Sequence, residues 1–448
     1  MNIDPTNLPL LDQALRELDK GFSALPRTDS VGDTEAMGEI LLDVARRMHD
    51  NFPYQHPLYA GQMLKPPHAI AHLAYTLAMS INPNNHALDG GRASSMMEKE
   101  CVADIASMFG WEEHLGHLTS SGTIANLEAL WIAGQIRPGK KILASDQAHY
   151  THGRISQVLK LDFASVAVDE RGRMDMGALE EQVNGGEVGT VVATLGTTGT
   201  GSVDPLPAIL ALAAEHGFRV HVDAAYGGYF RLVDNLDEDA RAAFDCIDEA
   251  DSIVIDPHKH GLQPYGCGCV LFRDPKVGSI YKHDSPYTYF SSDELHLGEI
   301  SLECSRAGAS AVALWATMRL FPLTPGGEFA RGLARGRAAA LNLHGRLCAD
   351  SRYLTVMRPE LDILVFAPAA ASASAISARS ARYFDEAADM HLHLALMEVP
   401  ATLLKHHWPQ VEFDRDHVTC LRSCLMKPEH EAWVDTIWSI LDKLAEQR

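Results

Sequence analysis

Lys259 is the residue of this 448-residue chain whose type and surroundings are best suited to covalent chemistry. It stands between His258 and His260, shortly after the β-branched run 252–255, and Pro257 ends that run because proline removes a ladder hydrogen bond. In open α/β sheets, ligands bind beyond the carboxyl ends of the strands, and a lysine buried there can form a Schiff base. A solvated turn lysine is the alternative interpretation, so the rest of the chain must decide between the two.

Other segments carry groups that a Schiff-base lysine would use. Asp223 follows the apolar run 220–222, and we expect it at the same sheet edge as Lys259, one βα unit away. Residues 121–123 lead into a strongly helical segment, and its first N–H groups make either an anion site or an ordinary N-cap. A lysine, a carboxylate and a phosphate site are the parts that hold pyridoxal phosphate. His149, in the loop after another predicted strand, is placed to lie flat on the cofactor ring.

The elements that must position these groups are strands and helices in regular alternation from residue 140 to 272. This pattern predicts an α/β domain with a mainly parallel sheet that helices cover on both faces. We predict a helical arm over residues 1–55, a large domain over 56–325 and a small C-terminal α+β domain over 326–448. The aperiodic stretch 281–298 is predicted to be a functional loop.

Composition and charge argue against several classes of function. The net charge of −21, from 38 basic and 59 acidic residues, disfavours binding to nucleic acid or to an anionic membrane surface. No stretch approaches the about 18 continuous apolar residues of a spanning helix, and the first residues lack the features of a signal peptide. The eight cysteines form no C-x-x-C pair and the histidines are scattered, so we predict a reduced cytoplasmic protein without a metal site.

Five segments together resemble the group II pyridoxal-phosphate-dependent amino-acid decarboxylases, which include aromatic amino-acid, tyrosine, histidine and glutamate decarboxylases. They are TSSGTIANLEAL, SDQAHY, ATLGTTGTGSVDP, HVDAAYGG and DPHKHG, and they follow the order and spacing of that family. The resemblance covers about residues 56–320. It implies fold type I of pyridoxal-phosphate enzymes, decarboxylation of an L-amino acid, and a homodimer with active sites at the subunit interface.

The resemblance also implies roles for individual residues around the cofactor ring. Lys259 would hold the cofactor as the internal aldimine, and Asp223 would pair with the pyridinium nitrogen. His149 would stack on one face of the ring and Ala225 would pack against the other, while Thr198 would lie near the 3-hydroxyl group.

The phosphate group would be held by the start of the helix that follows Ser121. The resemblance assigns this contact to Gly122 and Thr123, together with His258 beside the lysine. Many family members carry Ser or Asn two or three positions before the lysine, whereas this chain has Asp256 there. A carboxylate repels a phosphate unless it is paired or turned away, so Asp256 departs from the family pattern.

Protonation of the substrate Cα would need an acid. The resemblance to this family implies that the acid is a tyrosine on a mobile loop. Tyr287 and Tyr289 lie in the aperiodic stretch and are the candidates, with a packed aromatic side chain as the alternative for each. Arg306, between this stretch and a helix, would bind the substrate α-carboxylate or a phosphate of the partner subunit, or would only pair with Glu303.

The substrate side chain is the feature that the sequence determines least. His56, Tyr59 and Met63 lie in the segment that resembles the side-chain pocket of the family, and they favour an aromatic L-amino acid. Aspartate or glutamate stays an alternative, with Lys65 and Arg92 as the nearest cations in sequence. The alternative to decarboxylation is another reaction of the same cofactor, by an aminotransferase or a carbon–carbon or carbon–sulfur lyase.

Overall fold

Two β-sheets organise the chain, one of seven strands and one of four. The computed structural model describes residues 5–26, 32–282 and 295–446. In these ranges, no helix is both long and apolar enough to cross a membrane.

The N-terminal part is a helical arm with an exposed apolar surface. It contains α1 (Leu8–Lys20) and α2 (Thr34–Arg47), and the side chain of Asp33 caps α2 by accepting from two backbone N–H groups of its first turn. On α2, Ile40 is 63% exposed and Leu41 is 67% exposed. An amphipathic helix gains most of its stability by burying its apolar side chains, so a surface of this kind needs a partner.

The large sheet has the predicted mainly parallel arrangement. In chain order its strands are β1 (Leu115–Thr119), β2 (Lys141–Ser145), β3 (Phe163–Val166), β4 (Val188–Thr194), β5 (Arg219–Asp223), β6 (Ser252–Ile255) and β7 (Gly268–Phe272). Their spatial order is β1-β7-β6-β5-β4-β2-β3. Neighbouring strands in the series β3-β2-β4-β5-β6 are parallel, and β7 is antiparallel to both β6 and β1. Sequence patterns do not predict β1, since Gly116 and His117 interrupt its apolar run.

Helices cover both faces of this sheet. In chain order they are α3 (Ala69–Met79), α4 (Arg92–Met108), α5 (Gly122–Ile136), α6 (Thr151–Leu159), α7 (Met176–Val183), α8 (Leu206–His216), α9 (Glu238–Asp245), α10 (Gly278–Tyr281) and α11 (Gly308–Leu320). Along β6, Ile253 and Ile255 pack into the core that includes α4 and α11, whereas Val254 packs with α5. This alternation between faces is what a strand buried on both sides requires.

The small sheet is antiparallel and lies in the C-terminal part. Its strands are β8 (Tyr353–Thr355), β9 (Ile363–Pro368), β10 (Ala395–Pro400) and β11 (His417–Cys424), in the spatial order β10-β11-β9-β8. The helices are α12 (Glu328–Cys348), α13 (Ala373–Asp389), α14 (Ala401–His407) and α15 (His430–Glu446). The predicted small α+β part is therefore confirmed. The domain boundaries at 55/56 and 325/326 stay predictions.

Candidate active site

Strand pairing brings Asp223 and the lysine turn to one edge of the large sheet. Asp223 is the last residue of β5, and its register partner on β6 is Val254. The chain leaves β6 through Asp256, whose N–H donates to the carbonyl of Ala225 at 3.2 Å. Lys259 donates its N–H to the carbonyl of Asp256 at 2.9 Å, which closes a tight turn at this edge.

Asp223 is held as an anion by a histidine that sequence patterns did not indicate. Nε2 of His152 lies 2.8 Å from Oδ2 of Asp223, and the N–H of Ala225 donates to Oδ1 at 3.1 Å. Burial opposes ionisation, but the hydrogen bond and charge of His152 and the charge of Lys259 lower the pKa of Asp223 below its usual range. His152 lies in the first turn of α6, three residues after His149 in the preceding loop, and this spacing of two histidines is the signal that could have pointed to it.

The His149 ring lies close to this pair and is held by its neighbours. Its Nδ1 is 2.7 Å from Oγ1 of Thr151, and its ring stacks on Tyr150 with centroids 4.5 Å apart and an interplanar angle of 30°. Burial is the main cause that lowers the pKa of His149, so the imidazole is neutral at pH 7. A neutral ring in a fixed orientation is suited to lie against an aromatic cofactor.

The start of α5 favours an anion, and a carboxylate of this chain lies against it. Oγ of Ser121 accepts from the N–H of Ile124 at 3.3 Å and caps the helix. A methyl group added at Gly122 would lie 2.6 Å from Oδ1 of Asp256 and closer still to Oδ2. Oδ1 is buried and accepts no hydrogen bond from any described residue. Thr123 follows in the exposed first turn, where free N–H groups and the helix dipole stabilise negative charge.

Lys259 is paired with the same carboxylate. Its Nζ lies 3.1 Å from Oδ2 of Asp256, and its side chain is 20% exposed. Nε2 of His258 is 3.5 Å from that oxygen, while Nδ1 is 2.8 Å from the carbonyl oxygen of Cys267. Burial lowers the pKa of His258, so this imidazole is also neutral at pH 7. The amine, the carboxylate and the imidazole form one connected group.

These residues fit pyridoxal phosphate in their chemistry. The cofactor needs an amine for a Schiff base, an anion opposite its ring nitrogen, and donors around its phosphate. Lys259 supplies the first and the ionised Asp223 the second. At Gly122 the absence of a side chain lets a carboxylate, that of Asp256, approach the helix start, and the first N–H groups of this helix are donors suited to a phosphate.

A family model, the pyridoxal-dependent decarboxylase conserved domain, matches residues 27–366 of this chain. The chain belongs to this family. The match confirms the predicted family, the pyridoxal phosphate cofactor and the class of amino-acid decarboxylases.

Two curated relatives illustrate the similarity. The decarboxylase is 30% identical over 425 residues to L-tyrosine decarboxylase of Enterococcus faecium, and the match covers 72% of this chain and 68% of that protein. It is 29% identical over 283 residues to the probable L-tyrosine/L-aspartate decarboxylase of Methanothrix thermoacetophila, and this match covers 62% of this chain and 70% of that protein. The chain spans only 63% and 58% of the length of two further L-tyrosine decarboxylases that it matches.

A solved structure shares the whole fold of the decarboxylase. Mouse CSAD in its apo form aligns with a TM-score of 0.79 at 19% identity, over 99% of this chain and 100% of that chain. The likeness confirms the predicted fold type I architecture, with a mainly parallel sheet and a small C-terminal α+β part.

In this decarboxylase Arg422 of the small sheet binds the loop that carries Thr198. Sequence patterns did not indicate a role for Arg422. Nη2 of Arg422 donates to the carbonyl of Thr198 at 2.7 Å, and Nε donates to that of Gly199 at 3.0 Å. Nη1 donates to Oε1 of Gln62 at 3.1 Å. The partners lie 223 and 224 residues apart along the chain, so no local signal identifies this contact.

A buried chain of hydrogen bonds fixes α5 to the strands that carry the site. Nε2 of His221 lies 2.9 Å from Oδ1 of Asn126, and Nδ1 lies 2.9 Å from Oγ of Ser252. Asn126 donates in turn to the carbonyl of Gly122 at 2.9 Å. Burial lowers the pKa of His221 to about 3, so this imidazole is neutral and acts as a structural link.

The predicted substrate residues His56 and Tyr59 contact the C-terminal part of the chain. The ring of His56 packs edge-to-face against Trp433 with centroids 4.8 Å apart. Tyr59 is 5% exposed, and its carbonyl accepts from Nζ of Lys427 at 2.6 Å. Substrate contact by either residue stays a prediction. The proposed proton donors, Tyr287 and Tyr289, lie outside the described residues.

Arg306 has partners that differ from the expected ones. Its Nη1 lies 2.7 Å from Oε1 of Glu98 and also donates to the carbonyl of Leu118, and its side chain is 6% exposed. The suggested pairing with Glu303 is wrong, because that carboxylate accepts from the N–H of Ser120 at 2.9 Å. The guanidinium therefore joins α4 to β1, and its predicted contact with a substrate carboxylate or a partner phosphate would have to compete with Glu98.

Proposed function

We propose that this protein decarboxylates an L-amino acid with an aromatic side chain, L-tyrosine in the first instance, to the amine and CO2. The observation that carries the proposal is the presence of the Lys259 turn and the Asp223–His152 pair at one sheet edge. The similarity to the L-tyrosine decarboxylase of Enterococcus faecium supports the aromatic side chain.

Bound pyridoxal phosphate supplies an electron sink for the bond between the substrate Cα and its carboxylate. Asp223 would keep the ring nitrogen positive, because His152 holds that carboxylate ionised and oriented. His149 would keep the ring in place with a neutral imidazole. Lys259 would hold the cofactor until the substrate amine replaces it, and its free amine could then move a proton.

Departure of CO2 leaves Cα in need of a proton, and Tyr287 or Tyr289 is the proposed donor. Replacing the correct tyrosine with Phe should lower the yield of amine and divert substrate to a carbonyl product by oxidative deamination, with dissolved oxygen as the oxidant. Chromatography of both products from Y287F and Y289F measures this change. If both variants release amine at the wild-type rate and yield, neither tyrosine is the donor.

Decarboxylation of aspartate or glutamate is the second candidate. Two lysines of the described chain support it, because neither forms an ion pair there. Nζ of Lys65 donates to the carbonyl of Met426 at 3.3 Å, and Nζ of Lys427 donates to that of Tyr59. Burial lowers the pKa of each lysine to about 8. A carboxylate side chain would neutralise such a cation, and a curated relative is named a probable L-tyrosine/L-aspartate decarboxylase.

The test is a panel of carboxyl-labelled L-amino acids incubated with the purified holoenzyme. Labelled CO2 and amine from tyrosine or another aromatic substrate support the proposal, and release from aspartate or glutamate supports the second candidate. Keto acid without CO2 would instead indicate an aminotransferase. Lys259→Ala is the control, because it should lose both the release of CO2 and the absorbance of the bound cofactor.

We also propose a homodimer with active sites at the subunit interface and a cytoplasmic location. The exposed apolar side chains of α2 support the dimer, since a second copy would bury them. All eight cysteines are free thiols, as a reducing compartment requires. Sedimentation of the wild type and of an Ile40→Glu variant tests the dimer. A wild-type monomer at micromolar concentration would contradict it.

A further inference from the structure

Asp256 is the residue of this site that the proposed function leaves unexplained. Its carboxylate lies between two groups with opposite effects on it. Nζ of Lys259, 3.1 Å from Oδ2, stabilises the negative charge. The start of α5 at Gly122 lies in direct contact with the same carboxylate, and there the phosphate of the cofactor is proposed to bind. A phosphate would repel the carboxylate at this distance.

No other neighbour can take over the role of the lysine without gaining a proton. Nε2 of His258 is 3.5 Å from Oδ2, but burial keeps this imidazole neutral by lowering its pKa. The other titratable neighbours are also uncharged at pH 7, because burial lowers the pKa of His149 and raises further the already high pKa values of the remaining four. These four are Tyr229, Tyr265, Cys267 and Cys269. The first turn of α5, Ser-Gly-Thr at 121–123, contributes no titratable side chain.

We propose that Asp256 is the counter-ion of Lys259 in the cofactor-free enzyme, and that bonding of Lys259 to the cofactor is coupled to the uptake of one proton by the Asp256–His258 pair. This inference rests on the proposed function for the identity of the site. It makes Asp256 a positioning residue that orients the amine before the cofactor arrives.

The covalent step by itself neither consumes nor releases a proton. The nitrogen of the Lys259 ammonium forms a C=N bond with the aldehyde carbon, and the aldehyde oxygen leaves as water with two ammonium protons. The third proton stays on the nitrogen. Its positive charge is now part of the bond to the cofactor and no longer pairs with Asp256. The Asp256 carboxylate then lies beside the phosphate without the lysine as its counter-ion. One proton from the solvent binds to the Asp256–His258 pair and neutralises the negative charge of the carboxylate.

Proton uptake makes cofactor affinity depend on pH. The dissociation constant of pyridoxal phosphate should rise as the pH rises, by up to about tenfold per pH unit for one linked proton. From pH 7 to 9 the phosphate does not interfere, because its second pKa of about 6 lies below this range, and any proton taken up by the ring nitrogen beside Asp223 is the same for the aldehyde and amine forms of the cofactor. Pyridoxamine phosphate provides the contrast. It cannot bond to Lys259, so the Lys259–Asp256 pair persists and Asp256 requires no proton.

The experiment is titration calorimetry of the cofactor-free enzyme in two buffers with different ionisation enthalpies. We expect the uptake of about one proton more with pyridoxal phosphate than with pyridoxamine phosphate, because a proton that the ring nitrogen takes up beside Asp223 is common to both forms. Asp256→Asn should abolish this difference between the two cofactor forms and bind pyridoxal phosphate more tightly than wild type above pH 8. Asp162→Asn is the matched control, because Asp162 is an exposed carboxylate that should leave the uptake unchanged.

Equal proton uptake on binding pyridoxal phosphate in the wild type and in Asp256→Asn would overturn the proposal, and so would equal uptake with the two cofactor forms in the wild type. If the Asn variant does not fold, Asp256→Ser serves the same purpose, and the comparison of the two cofactor forms needs only the wild type. The proposed function fails by a separate result. In that case the holoenzyme releases no amine from any amino acid, while the coupling of proton uptake to cofactor binding is still measured.

Discussion

The pair formed by His152 and Asp223 provides the strictest test of the proposed site. His152→Phe keeps a planar ring of similar size but removes the donor that lies 2.8 Å from Oδ2 of Asp223. The two side chains are 1% and 6% exposed, so water cannot replace the lost hydrogen bond. The Asp223 carboxylate then loses the partner that lowers its pKa, and it stabilises a positive ring nitrogen less well.

The size of the effect follows from the burial of the pair. A hydrogen bond to a charged group is worth about 1.5–3 kcal/mol. Since about 1.36 kcal/mol is a factor of ten in rate, kcat should fall about 10- to 150-fold. KM should change little, because His152 is a positioning residue for Asp223 and is not proposed to contact the substrate.

Steady-state kinetics of the fully loaded enzyme measure this effect, and a pH titration of the bound-cofactor absorbance reports the ring nitrogen independently. His152→Gln is the matched control, because its amide can donate to Asp223 and should restore much of kcat. Thermal unfolding of both variants separates loss of chemistry from loss of fold. A Phe variant with kcat within threefold of wild type, or a Gln variant as impaired as Phe, would refute the reasoning.

Three further predictions follow from other contacts of the site. Gly122→Ala places a methyl group against the Asp256 carboxylate and should weaken cofactor binding more than tenfold, whereas Gly38→Ala, with open space around it, should not. Equal dissociation constants for the two variants would contradict this. Arg422→Met leaves two carbonyls without a donor and should lower the free energy of unfolding by about 1–3 kcal/mol, measured in urea. A change below about 0.5 kcal/mol would count against that role. Burial lowers the pKa of Lys427 to about 8, so the folded chain binds this proton less tightly than the unfolded chain, whose lysine titrates near about 10.4. Wild-type stability should therefore fall relative to Lys427→Met as the pH drops from about 10 to about 8, and parallel unfolding curves at the two pH values would show the prediction to be wrong.

Local features of the chain indicated the candidate lysine and predicted the architecture. The β-branched run before Pro257 and the alternation of strands and helices are properties of neighbouring residues, and they predict a parallel sheet whose carboxyl edge carries Lys259 and Asp223. The same short-range signals failed for β1 and for β10, whose apolar patterns are interrupted. The cofactor and the family followed from several motifs in a fixed order, a property of the whole chain that a single motif does not have.

The partners of the key side chains depend on the tertiary structure. His152 and Asp223 are separated by 71 residues, and Arg422 reaches its carbonyls across about half the chain. A sequence pattern shows which face of an element is buried, but it does not show which polar group meets which inside the fold. Asp256 is the clearest example. From the sequence it was a carboxylate in an unfavourable place, and the packing of α5 against the β6 turn brings it to Gly122 while the turn itself pairs it with Lys259. Burial makes such pairings strong, and burial is decided only when distant segments pack together.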